Sequence, residues 1–244
     1  MPEPGLNDPD AIVYRYTFIR GGSEKKEFTV RLDKGTLKGI PVPRDARPDW
    51  TKLDFHKCRT CPLDPVRHAH CPVAANIADF VEFLRDIKSF ETVDVRVESQ
   101  QRVYIKRTTM QVAASALLGL LMATSGCPVL DRLRPMAELH LPFSGPEETV
   151  FRLVTMYLAA QYFRRKNGEE ADPGLEGLTR FLDEIQRVNT DFVGRLRAIR
   201  IEDASLNALD TLNTMGMLAG MSISDDNLAR MAKIFEAHSG WPLK

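Results

Sequence analysis

The chain of 244 residues lacks an excess of either charge: 33 Lys and Arg stand against 33 Asp and Glu. Such a balance offers no general attraction to phosphate or to anionic lipid, which argues against a protein that coats nucleic acid. Long hydrophobic runs are missing too. The longest, Val112 to Ala123, has twelve residues, short of the roughly 20 that a bilayer demands; it reads as a buried core helix, and no membrane partner is expected. The opening Met1-Pro2-Glu3-Pro4-Gly5 has neither a basic n-region nor an apolar h-region, so the expected location is the cytoplasm. Phosphate-cradling G-x-G-x-x-G and G-x-x-x-x-G-K-[ST] loops are absent, as are H-E-x-x-H and G-x-S-x-G. Cysteine is scarce, at four. A chain this long buries a core without staples, and in a reducing compartment the four are ligands or plain thiols rather than disulfides.

What is there falls into a β-rich first part, 1–108, and a helical second part, 109–244, expected to pack as one unit. Ala11 to Arg20 is rich in strand formers, Gly21-Gly22-Ser23 offers a turn, and Phe28, Val30 and Leu32 alternate with polar residues. Val93, Val95 and Val97 alternate likewise; Gln100-Gln101 lies near a turn, and Val103 and Ile105 resume the alternation. Two hairpins predict a four-stranded antiparallel sheet with one wet face. Between them, three prolines at 41, 43 and 48 mark an extended loop, and Val73, Ile77, Phe80, Val81, Leu84 and Ile87 recur at helical spacing behind Pro72. After Met110 the pattern is helical. Ser144 and Glu147 have capping-box spacing. Asp172-Pro173 opens a helix carrying Leu178, Phe181, Ile185, Val188, Phe192, Leu196 and Ile199, and further helices start at Asp203 and at Ser224-Asp225-Asp226. The expected fold class is α+β: a small antiparallel sheet of two hairpins with a Cys-rich loop and a helix, followed by a bundle of helices.

The chemistry concentrates in His56-Lys57-Cys58-Arg59-Thr60-Cys61-Pro62 and His68-Ala69-His70-Cys71-Pro72. Thiolates three residues apart reach one ion when the backbone between them turns. Pro62, Pro65 and Pro72 stiffen the loop and lower the entropy lost on closing it. Tetrahedral zinc takes four thiolate or imidazole ligands. Cys58, Cys61 and Cys71 supply three, and the candidates for the fourth are Cys127, His56, His68 and His70. Cys127 shares the Cys-Pro context of Cys61 and Cys71 and follows Gly126, a natural helix stop. A lone cysteine is more often a small buried hydrophobe, which suits Cys127 alone but not three cysteines and three histidines in loop-like sequence. Zinc is the expected cofactor. A 4Fe-4S cluster on the same cysteines is the alternative, although the spacing departs from ferredoxin runs.

Cys58-x2-Cys61-Pro62-Leu63, Cys71-Pro72, Met122 to Pro128 with its Thr-Ser-Gly-Cys-Pro, and His140-Leu141-Pro142-Phe143 together resemble an uncharacterised bacterial domain family of unknown function. The resemblance spans most of the chain. It implies no activity; it implies that these cysteines belong to one site.

Other patterns point elsewhere. Cys127 with His140 as base would make a thiol nucleophile, but no third, orienting residue can be named. Glu147-Glu148 reads as a first-turn dipole effect rather than an acid–base pair. Gly216 and Gly220 beside Met215, Met217 and Met221 suggest close core packing, with a Met-rich partner surface as the alternative. The functional expectation is a non-enzymatic, metal-stabilised binding or regulatory module whose partner is another protein or a second copy.

Overall fold

The computed structural model describes residues 5–42, 46–199, 203–224 and 228–239. The helix start expected at Ser224-Asp225-Asp226 lies outside them at Asp225 and Asp226, and so do the side chains of Met215 and Met221.

The architecture is α+β, with two antiparallel hairpins forming one four-stranded sheet. Strand β1 (Ala11–Arg20) turns through Gly21 and Gly22, both at positive φ, into β2 (Glu24–Asp33). Only glycine takes up such φ values without strain, and this fixes the turn. Strands β3 (Thr92–Glu98) and β4 (Val103–Thr109) form the second hairpin, closed by the Ser99 N–H donating to Arg102 O. The order is β2-β1-β3-β4, all antiparallel.

Helix α1 (Pro72–Phe83) starts with Pro72 in its first turn, as expected, and lies on the sheet through a cluster of rings. Phe28 meets Phe80 edge-on at 5.0 Å, and Phe18 stands 5.6 Å from Phe80 and 5.7 Å from Phe83. Helix α2 (Met110–Ala123) is the expected buried helix, with Met110, Ala113, Ala114 and Leu117 fully covered. A Cβ on its Gly119 would meet Leu212 at 3.2 Å, so glycine here sets how closely α5 (Asp203–Ser224) approaches.

The alternation in β4 is displaced from its expected place. Val103 pairs with Glu98 and Ile105 with Arg96, while Val93, Val95 and Val97 sit opposite Thr108, Lys106 and Tyr104. The apolar pair therefore lies on the face opposite the core, and Ile105 is 70% exposed. A single-residue step exchanges the two faces of a strand, and β4 has taken the other step.

Helices α3 (Pro146–Lys166), α4 (Glu176–Ala198) and α6 (Ala229–Ser239) complete the chain. Two starts differ from expectation. The cap of α3 is Gly145, whose N–H donates to Glu148 Oε2, one residue later than the Ser144–Glu147 pair. Helix α4 begins at Glu176 instead of at Asp172-Pro173, because Asp172 reaches forward to accept the Gly177 N–H at 2.6 Å.

The chain divides into two compact units. One comprises residues 1–143 and 187–212; the other comprises 144–186 and 213–244. The sheet, all four cysteines and the second half of α4 belong to the first.

Candidate metal centre

The cysteine loop is tied down from both ends by its own backbone. A 3-10 turn at Asp49–Thr51 buries Trp50 and Thr51. Cys71 N–H donates to Thr51 O at 2.8 Å and Leu53 N–H to Ala69 O at 3.0 Å, so residues 51–53 run antiparallel to 69–71. This short pairing closes the loop and leaves Cys71 as the residue before α1, buried. Within the loop the Cys61 N–H donates to Cys58 O at 3.1 Å. The C-x2-C segment is thus a tight turn, the form that aims two sulfurs the same way. His56, at φ 45°, bends the chain just before it.

Cys127 comes from a distant stretch of chain. Asn76 on α1 donates to Leu121 O at 2.7 Å, locking the start of α1 to the last turn of α2. Gly126, at φ 88°, stops α2 and turns the chain. Gly39 N–H donates to Thr124 O at 3.0 Å, and a Cβ on Gly39 would meet that oxygen at 2.9 Å. No larger residue fits there. The backbone N–H groups of Leu130 and Val129 hydrogen-bond the Cys127 thiol, an arrangement that favours the thiolate, yet burial outweighs them and raises its pKa.

All four cysteines are free thiols. They occupy one electrostatic neighbourhood. Burial pushes the Cys58 thiol up to about 12, and Cys71, Asp191, Cys61 and Cys127 add to the shift. Cys127 is raised in the same way by Cys71 and Cys61. Yet among the described residues no three His, Cys, Asp or Glu side chains form a group that could hold a metal ion as they stand. Cys58 and Cys127 each feel the other cysteines electrostatically, and no coordination shell stands among the described residues.

The histidines differ. His56 and His68 are exposed. His70 Nδ1 lies 2.8 Å from Thr51 Oγ1, which is itself 2.7 Å from Pro48 O. The hydroxyl has one proton, and the carbonyl takes it. Nδ1 of the neutral ring is then the donor and Nε2 keeps its lone pair. Metal-binding histidines are oriented in this way, so His70 stays eligible as a ligand.

Two residues that the sequence reading passed over lie against the loop. Arg195, on α4, is 1% exposed. Its Nη1 donates to Trp50 O and Lys52 O at 2.8 and 2.7 Å, and its Nη2 to Leu53 O and His56 O, both at 3.3 Å. Burial lowers its pKa, whereas Cys71, Cys58 and Cys61 raise it. One turn earlier, Asp191 accepts the Arg59 backbone N–H and its Nε, both at 2.9 Å. A signal existed in the sequence: position 195 falls three after Phe192 and four before Ile199, a charge in an apolar stripe.

The chain matches the family model described as Domain of unknown function (DUF6901) over residues 12–236. It belongs to that family. The DUF6901 match bears out the resemblance to an uncharacterised domain family across nearly the whole chain. No curated protein and no solved structure matches it.

Other sequence candidates have found different roles. His140 Nε2 lies 2.5 Å from the Tyr16 hydroxyl, and its backbone N–H donates to Tyr14 Oη at 3.3 Å. The Tyr14 hydroxyl donates in turn to Ala137 O at 2.9 Å. The His140 segment is thereby latched to β1. Glu148 serves the α3 cap and Glu147 pairs with Arg230. Among the described residues no helix is long and apolar enough to cross a membrane.

Proposed function

We propose that the chain is a metal-stabilised binding or regulatory module in which Cys58, Cys61, Cys71 and Cys127 hold one zinc ion. The observation that carries this reading is the shared neighbourhood of four free thiols drawn from three stretches of chain. Protonated thiols gain little from such company, and four bare thiolates would repel one another. A divalent cation removes the repulsion and offsets the burial of charge. Binding would draw the sulfurs together, order the loop from Gly39 to Pro72, and link it to the end of α2.

A second reading, a 4Fe-4S cluster used for electron transfer or redox sensing, has one observation in its favour. The same four free cysteines equal the ligand count of such a cluster. The partner of the module is a protein or a second copy rather than nucleic acid. The balanced charge and the apolar Val103 and Ile105 on the outer strand of the sheet support that choice. Location in the cytoplasm follows from a centre that depends on reduced thiols.

The full chain purified without air decides between the two metals. Colourless protein with one zinc per chain, lost in Cys58→Ser and in Cys61→Ser, is the expected result. Brown protein with iron and sulfide supports the cluster. Metal retained at full occupancy in both variants contradicts both readings.

A further inference from the structure

Arg195 presents a problem that its immediate partners do not solve. A guanidinium keeps its charge at any ordinary pH, and this one is 1% exposed. Its hydrogen bonds all go to carbonyl oxygens, those of Trp50, Lys52, Leu53 and His56. Among the described residues it makes no ion pair with a carboxylate, and its Nε has no partner. Carbonyl oxygens satisfy its N–H groups, and the rings of Phe55 and Phe192, each 5.9 Å from its guanidinium carbon, temper its charge, but none of these carries a full negative charge to cancel it. Its bond to His56 O sets it two residues before Cys58, and the thiols of Cys71, Cys58 and Cys61 and the carboxyl of Asp54 are among the groups that raise its pKa.

The loaded centre would have the complementary defect. Four thiolates around a divalent ion leave two negative charges in a partly buried site. Excess negative charge on such a site weakens the hold of its thiolates unless cations or N–H donors stand beside them. We infer that Arg195 is the counter-charge and positioning residue of a four-thiolate centre: its guanidinium offsets one negative charge of the loaded site while its hydrogen bonds hold the chain from Trp50 to His56 that leads into Cys58. The inference rests on the metal reading proposed above.

Asp191 supplies the opposite sign from the same helix. It accepts the Arg59 backbone N–H and Nε in the C-x2-C turn, so a carboxylate is held against the residue next to Cys58 and opposes negative charge there. Helix α4 therefore touches the loop with one cation and one anion, a turn apart. A purely mechanical clamp would make both residues favourable to metal binding. A charge role gives them opposite effects.

The test uses the full chain, stripped of metal and titrated with Zn2+ against a chromophoric chelator. Arg195→Met should weaken zinc binding by about ten- to a hundredfold. Arg195→Lys, which keeps the charge but cannot span four carbonyls, should recover the larger share of that loss. Asp191→Asn, which keeps an acceptor for the Arg59 N–H, should bind zinc more tightly than the unaltered chain. Equal loss in Arg195→Met and Arg195→Lys would overturn the inference in favour of a hydrogen-bonding role alone. Unaltered affinity in Arg195→Met would overturn it outright, as would unaltered or weaker binding in Asp191→Asn. If Arg195→Met fails to fold, Arg195→Lys and Asp191→Asn decide: near-normal affinity in the first and a gain in the second support the inference, and a large loss in the first or no gain in the second overturns it. A native chain that binds no zinc would overturn the metal reading and this inference together, whereas a loaded native chain beside an indifferent Arg195→Met overturns this inference alone.

Discussion

Tyr157, Asp172 and Gly177 show how a single missing methyl group shapes a helix start. The Tyr157 hydroxyl donates to Asp172 Oδ2 at 2.7 Å, and the same oxygen accepts the Gly177 N–H. A Cβ on Gly177 would collide with the Tyr157 hydroxyl and press on Asp172 at 3.1 Å. Gly177→Ala should therefore destabilise the chain by about 1–3 kcal/mol in denaturant unfolding, although alanine is the better helix former. The same pair gives a pH signature. Burial first, then the bond to Asp172, pushes the Tyr157 hydroxyl up to about 12. The folded state thus favours the protonated phenol, and the stabilisation is complete below the ordinary value of 10.0 and lost as pH rises from there toward 12. Asp172 moves the other way, held low by the Gly177 N–H and then by Tyr157; its contribution is present above the ordinary 3.8 and lost as pH falls. In thermal melts, Tyr157→Phe should flatten the decline between pH 10 and 12; a decline as steep as in the unaltered chain would remove Tyr157 from the account.

Strands and helices were legible wherever one period dominates. Alternation bounded by Gly21-Gly22 marks the first hairpin, Pro72 marks the start of α1, and the apolar run marks α2. The outer strand β4 was harder, because Val103 and Ile105 alternate correctly for either face, and only pairing with β3 chooses between them. Helix caps were displaced for a similar reason: Glu148 and Asp172 offer a carboxylate to an N–H three and five residues away respectively, and spacing does not say which. Ile105→Thr, on the wet face, should change stability by no more than about 0.5 kcal/mol. Leu117→Ala, at 0% exposure within α2, should cost about 2–5 kcal/mol. A large loss from Ile105→Thr in the same unfolding assay would show that β4 is packed the other way round.

At the scale of the molecule, all the thiols lie in one compact unit, which also holds the sheet and Arg187–Leu212. Removal of the metal by a chelator should therefore speed amide hydrogen exchange in 48–72 and in 124–131, and leave α3 and α6 as they were. Equal acceleration throughout would mean that the metal supports the chain in some other way. The C-x2-C spacing and the Cys-Pro pairs made the cysteines legible as one candidate site. Arg195 and Asp191 were not legible, because a helix 132 residues beyond Arg59 supplies them and only the fold makes them neighbours. The central claim, that Cys58, Cys61, Cys71 and Cys127 bind one ion, is tested most directly by X-ray absorption at the zinc edge of the loaded chain. The account predicts four sulfur neighbours at about 2.3 Å, falling to three in Cys127→Ala. A shell of three sulfurs and one nitrogen that is unaltered in Cys127→Ala, or a chain that holds no zinc, would contradict it.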